Sequence, residues 1–301
     1  MTIYTEIDAN KQRTTLIIFL FILLITATVF TFGYVMDPEY SLSYAGMALI
    51  ASGFMSFGSY YFSDQIVLGI SKAHPLKKED NPYVYNLIEN LCIGAGLPVP
   101  KIYIIDDTAP NAFATGRDPE HAVICLTTGI IQKLEKIELE GVIAHELAHI
   151  QNYDIRLMSI VVVLVGVVVL MSDWFRRFMW FGGGKKRDSR SSGGQIGALF
   201  AIVGILLAIL SPIFAQLIKL ALSRQREYLA DSSAALVTRY PEGLARALEK
   251  ISADREPLEV ANKATAHLYI VNPLKDYSGG LNNLFSTHPP IEERIAKLRQ
   301  M

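Results

Sequence analysis

Residues 141–152 read GVIAHELAHIQN, with two histidines four apart and a glutamate directly after the first. On a helix, positions i and i+4 share one face, so His145 and His149 can offer two imidazoles to a single metal ion. Glu146 then sits about 100° further round, close to such an ion without binding it. That position suits a base that takes a proton from a water on the ion, the first step of metal-assisted hydrolysis. Val142, Ile143, Ala144, Leu147, Ala148 and Ile150 carry no charge, so the helix reads as largely buried. Burying two histidines and a glutamate is costly unless something satisfies them. The bland alternative is a pair of hydrogen-bonded histidines that spell the pattern by coincidence.

A catalytic zinc needs a third protein ligand and one open position. The spelling HIQNYD after the second histidine lacks the glycine and histidine of an extended histidine motif, and the inverted spelling is absent too. The other histidines are His74, His121, His267 and His288. Downstream, SRQREYLAD at 223–231 sets Glu227 and Asp231 four apart, again one helical face. This is the E-x-x-x-D arrangement of glutamate-type zincins. Glu227 would be the third ligand, and Asp231 would accept the spare N–H of a ligand histidine. A solvated helix face shared with Arg224 and Arg226 is the competing reading.

VIAHELAHIQNYD, SRQREYLAD, PNAFATG and FSTHPPIEERI together resemble the HtpX group of membrane-bound zinc metalloproteases, relatives of the CAAX prenyl endoproteases. The likeness runs from the first apolar segment to the C-terminal helix. It implies one Zn2+ per chain, held by His145, His149 and Glu227, with Glu146 as the catalytic base. Asn111, Ala112, Phe113 and Ala114 would border the substrate groove and pair with an extended peptide by strand addition; a plain turn is the alternative. His288, in THPP, corresponds to a family histidine and could donate to the oxyanion formed in hydrolysis. It could equally cap the helix opened by Pro289 and Pro290. Arg294 in that helix reads as a structural anchor. The implied substrates are polypeptides, chiefly damaged or misfolded membrane proteins cleaved in quality control.

The elements that must hold these residues combine lipid-like and water-soluble parts. Hydrophobic residues make up 51% and charged residues 19%, with a mean hydropathy of +0.29. That is too apolar for a typical soluble enzyme and too polar for a bundle of spans alone. The net charge of −1 gives no basic field for nucleic acid. Cys92 and Cys125 form no CxxC pair and read as small apolar residues in a reducing compartment.

Thr14 to Met36 is uncharged and long enough to cross roughly 30 Å of hydrocarbon. Lys11 and Arg13 before it could belong to a signal peptide, but the run is long, no A-x-A site follows, and a second apolar run comes at once. Leu42 to Phe62 is that second run, with Gly46, Gly53 and Gly58 for close helix approach. The connecting DPEY carries only acids, whereas Lys72, Lys77 and Lys78 follow the second run. The positive-inside rule therefore puts the N-terminus and everything after residue 63 in the cytoplasm.

Residues 63–156 read as soluble: a helix ending near Gly94 to Gly96, strands at Lys101–Ile105 and 122–127, and a helix from about Lys133 to Arg156. Leu157 to Ser172 is a third apolar run, and Ser191 to Ile218, interrupted at Pro212, a fourth. His145 precedes both runs and Glu227 follows both, so the two either both cross or both fail to cross. Hydrophobicity favours a hairpin of two spans. The Gly/Ser-rich linker between them, with six bases against two acids, opposes it.

The expected fold is α+β: a mostly helical zincin-like metalloprotease domain with a small antiparallel sheet, plus about four membrane helices. The catalytic domain would come in two pieces, 63–156 and 219–301, with membrane segments at 1–62 and 157–218. The expected setting is multi-pass in the cell membrane, in contact with the lipid bilayer and with the site facing the cytoplasm. A processing protease for lipid-modified C-termini is one rival, though four apolar runs are few for an enclosed chamber. A non-proteolytic metal-binding or transport protein is another, but the apolar runs contain no ionisable residue.

Overall fold

A computed structural model describes residues 3–164, 166, 224–261, 265–273 and 289–301. The chain opens with a helical hairpin, α1 (Ile3–Met36) and α2 (Ser41–Ile70). The helices approach closely near the turn: a Cβ on Gly33 would lie 2.8 Å from Cδ2 of Tyr44. α2 is built inside out. Its small residues Ala45, Ala48, Ser52, Ser56, Ser59 and Ser63 are buried at spacings of three and four, while Leu42, Ile50, Phe54 and Phe57 stay exposed. Water disfavours that arrangement; lipid favours it, since small residues let helices touch and large apolar ones face hydrocarbon. Among the described residues, α1 is the one helix both long and apolar enough to cross a bilayer, over Ile7–Thr31. Four spans are therefore not established. The linker, the fourth apolar run and most of the second half of the third lie outside the described residues.

A short strand β1 (His74–Pro75) leads to α3 (Pro82–Ala95), which starts as expected of N-P-Y. The Asn81 side chain accepts from the Val84 N–H at 3.1 Å, and Pro82 fills the first turn. The helix ends at Gly96, whose φ of 67° is left-handed, as the sequence predicts. Strands β2 (Lys101–Ile105), β3 (Ala112–Gly116) and β4 (Ala122–Thr127) complete a sheet of order β1-β2-β4-β3. The expected antiparallel sheet is in fact mixed: β1–β2 and β3–β4 are antiparallel, but β2–β4 is parallel. Two reversals cause this. After β2 the chain turns to lay β3 on the far edge, then turns again and inserts β4 into the slot between, running with β2. Gly116 makes the second reversal possible, since a Cβ there would collide with the His121 carbonyl.

The expected single helix from Lys133 to Arg156 is three helices. α4 (Thr128–Lys133) stops where Leu134 turns extended. α5 (Lys136–Gln151) starts anew from a capping box in which Glu135 and Glu138 satisfy each other's backbone N–H groups. It ends at Asn152 and Tyr153, the latter at φ 60°, and α6 runs from 154 to 164. α5 is the centre of the catalytic half: Leu139, Val142, Ile143, Leu147 and Ile150 are buried in one cluster with β2, β4 and the helices that follow. Those are α7 (Arg224–Thr238), α8 (Pro241–Ala253) and α9 (Ile291–Leu298). α8 lies close because Gly141 has no side chain; a Cβ there would sit 2.7 Å from the Leu244 nitrogen. On the other side, Leu157, Ile160, Val161 and Leu164 of α6 bury Ile17 and Phe21 of α1. Both cysteines are buried, as expected of small apolar residues.

Candidate metal centre

α5 and α7 bring three donors to one place. His145 and His149 project from successive turns of α5, and Glu227 from the first turn of α7. One ligand atom from each lies within 4.8 Å of the others, and all three residues are buried. The two Nε2 atoms are 3.2 Å apart. The Glu227 carboxylate oxygens lie 3.8 Å from Nε2 of His145 and 3.5 Å from Nε2 of His149.

The other ring nitrogen of each histidine explains why these atoms converge. Nδ1 of His145 is 3.0 Å from Oδ1 of Asp231, one helical turn beyond Glu227. Nδ1 of His149 is 3.0 Å from Oδ2 of Asp154. A carboxylate accepts and does not donate, so both Nδ1 atoms carry hydrogen and both Nε2 lone pairs face inward. Two bare nitrogens and a carboxylate facing one another in a buried site repel unless a cation lies between them. An N2O donor set of this kind fits zinc.

Without metal, the protonation pattern balances these charges: His145 stays neutral with its Nε2 lone pair bare, and a second proton occupies Nε2 of His149. Burial makes His145 hard to charge and Arg294 and His149 add repulsion, against the pull of Asp231; it is lowered to about 4. Burial also opposes charging His149. There the Asp154 hydrogen bond and the carboxylates of Glu227, Asp154 and Glu146 override it and raise it to about 9. That second proton on His149 supplies the positive charge that the carboxylates require.

The competing reading of Glu227 and Asp231 as a solvated face fails, since both are buried along with Arg226. Asp231 pairs with His145. Glu146 is buried on the same helix, beside the donors in sequence. Arg294, read from sequence as an anchor, is a larger part of the centre than that word implies. Fully buried, it donates from Nε and Nη2 to the two Asp231 oxygens at 2.9 and 2.7 Å, and its Nη1 lies 3.5 Å from Glu227. Asp154 and Arg226 are further members that the sequence reading did not find. Asp154 stands five residues past His149 and across a turn, so no helical spacing points to it.

Ala112, Phe113 and Ala114 open the edge strand β3, Asn111 directly precedes it, and all four are buried. The Ile270 N–H donates to the Ala112 carbonyl at 3.0 Å, and Asn111 Nδ2 donates to the Val271 carbonyl at 2.9 Å. Part of that edge is therefore paired by the chain's own residues 270–271. A cavity of about 510 Å³ opens beside Asn111, between Val271 and residues 251–258. His288 lies outside the described residues.

Residues 78–301 match peptidase family M48. A protease HtpX homolog of Dictyoglomus thermophilum is 47% identical over 302 aligned residues, covering 100% of this chain and 95% of that protein. The protease HtpX homolog of Streptococcus uberis is 41% identical over 299 residues, covering 99% of this chain and all of that one. The crystal structure of S. mikatae Ste24p is similar at a TM-score of 0.49 with 21% identity, over 98% of this chain and 67% of that chain. Identity at this level, sustained from one end of the chain to the other, goes beyond a shared fold, and the chain belongs to peptidase family M48 as an HtpX-type metalloprotease.

Proposed function

We propose that the chain is a zinc endopeptidase anchored in the cell membrane, cleaving misfolded or damaged membrane proteins on the cytoplasmic side. One observation carries the reading: two imidazole Nε2 lone pairs and the Glu227 carboxylate converge in a buried site, each histidine fixed from behind by its own carboxylate. His145, His149 and Glu227 would hold the ion. When bound, zinc polarises a carbonyl and acidifies water to a pKa of about 7. Glu146 takes a proton from the attacking water and delivers it to the leaving amine. Arg294 offsets the negative charge of Glu227, Asp231 and Glu146. His288 donates to the developing oxyanion. The substrate lies as an added strand against Ala112–Ala114, which requires the paired segment at 270–271 to yield part of the edge. The exposed large residues of α2, beside the apolar α1, support a second span in lipid. Lys11 and Arg13 before the first apolar run, and Lys72, Lys77 and Lys78 after the second, support the cytoplasmic orientation. The catalytic domain is then split into 63–156 and 219–301 around a membrane hairpin at 157–218.

The test compares the purified full-length protein with Glu146→Gln on an unfolded polypeptide, with and without a zinc chelator. Loss of the base is expected to slow cleavage by about 100- to 10,000-fold while zinc stays bound. The chelator should silence the unaltered protein. Equal cleavage by the two proteins would sink the assignment.

A further inference from the structure

A polar side chain two turns into the N-terminal helix hydrogen-bonds the carboxylate behind His149. We propose that Asn10 of α1 is a positioning residue for the metal ligand His149, making the N-terminal helix part of the zinc site as well as an anchor; this rests on the metalloprotease reading above.

Asp154 is the link. Its Oδ2 accepts from Nδ1 of His149 at 3.0 Å. Its Oδ1 accepts from Nδ2 of Asn10 at 2.7 Å and from Nη1 of Arg226 at 3.2 Å. Both oxygens belong to one rigid planar group, so holding Oδ1 restricts where Oδ2, the oxygen that orients the imidazole, can lie. Asn10 holds more than that one atom. The same Nδ2 donates to the Asn152 carbonyl at 2.9 Å, which ties down the turn between α5 and α6. Between these two anchor points Tyr153 takes a left-handed φ of 60°, with Lys11 Nζ 4.8 Å and the Arg156 guanidinium 4.9 Å from its ring centre. Asn10, Asn152, Asp154 and Arg226 are each at least nine-tenths buried. An amide buried at the start of an apolar helix is costly unless its partners repay it. Here the partners belong to the turn after the metal-binding helix and to the first residue of the next helix, more than 140 residues on.

A purely structural role, holding α1 to α6, is the competing explanation, and it predicts a different result. Full-length protein in detergent, stripped of metal, is titrated with zinc against a competing chromogenic chelator, and its unfolding midpoint is recorded without metal. Asn10→Ala removes the donor, and Asn10→Leu does so while keeping the branched shape, guarding against a folding defect from lost volume. Both are expected to weaken zinc binding about 10-fold, the usual size for a group that orients a metal ligand. Ile17→Ala trims the apolar contact between α1 and α6 without touching Asp154. It should lower the midpoint and leave zinc affinity unchanged. Wild-type zinc affinity in both Asn10 variants would overturn the proposal, as would an equal loss in Ile17→Ala. His149→Ala separates the two levels of failure. If it binds zinc as well as the unaltered protein, the metal site is misassigned and the role of Asn10 falls with it. If it loses zinc while the Asn10 variants do not, only the role of Asn10 fails.

Discussion

The two histidines of the centre are held from behind by different means. Behind His145, Asp231 meets both arms of Arg294, a fully buried guanidinium on the last helix. Behind His149, Asp154 meets one amide N–H from the first helix and one N–H from Arg226. The first side is a charge clamp closed within the C-terminal part of the chain. The second combines a single-armed ion pair from Arg226 with a hydrogen-bonded junction to the N-terminal helix. A charge clamp stabilises by cancelling buried charge, so removing its cation costs stability. A junction of this sort sets direction, so breaking it costs ligand geometry first.

Arg294→Leu is the sharpest way to break the contrast. It leaves Asp231, Glu227 and Glu146 buried without their arginine, and stranding one member of a buried pair costs about 3–5 kcal/mol. At this chain size that is a fall in the unfolding midpoint on the order of 10 °C, measured on metal-free protein. Arg294→Lys should recover little, because a single ammonium cannot meet both Asp231 oxygens in plane. Zinc should restore part of the loss by supplying positive charge to the same carboxylates. A midpoint unmoved by Arg294→Leu would remove the distinction between the two sides.

Next in size are the paired changes Asp231→Asn and Asp154→Asn. In each, the new amide can turn its NH2 toward Nδ1, pushing the imidazole proton onto Nε2, the atom meant for the ion. Zinc affinity should fall about 10- to 100-fold in both, read by chelator competition. Asp231→Asn should lower the metal-free midpoint more than Asp154→Asn, because Arg294 meets Asp231 through two N–H groups whereas Arg226 meets Asp154 through one. Equal midpoints for the two variants would mean that the two sides are built alike after all.

How much of this was legible in the sequence follows the same division. Helical spacing revealed His145, His149, Glu227 and Asp231, because each pair sits four apart on one continuous helix. The strands β2 and β4 and the Gly96 stop were readable from apolar runs and turn chemistry. Asp154 was not, because Asn152 and Tyr153 break the helix and destroy the register that would have linked it to His149. Asn10 was hidden by context: an asparagine ahead of an apolar run looks like an interfacial residue, and its partners are remote in sequence. The parallel β2–β4 pairing escaped for a related reason, since it depends on where β3 goes and not on any residue of β2 or β4. Local period speaks for contacts within an element, and the centre is completed by contacts between elements.

The smallest expected effect tests whether burial, and not the arginine itself, accounts for the strength of the clamp. One turn and a half beyond Arg294, Arg299 pairs just as closely, with Nε and Nη2 each 3.1 Å from the two Glu242 oxygens and Nη1 2.9 Å from Glu249. Both arginines fasten the same C-terminal segment to a neighbouring helix. The difference is solvent: the Arg299 side chain is 44% exposed and Arg294 is not exposed at all. Water and salt screen the outer pair, and the entropy lost in ordering two flexible side chains offsets what attraction remains. Arg299→Ala should therefore leave both the unfolding midpoint and zinc affinity at their unaltered values, in low salt as in high. A midpoint drop approaching that of Arg294→Leu would show that docking of the C-terminal helix governs both results, and the charge clamp behind His145 would lose its special standing.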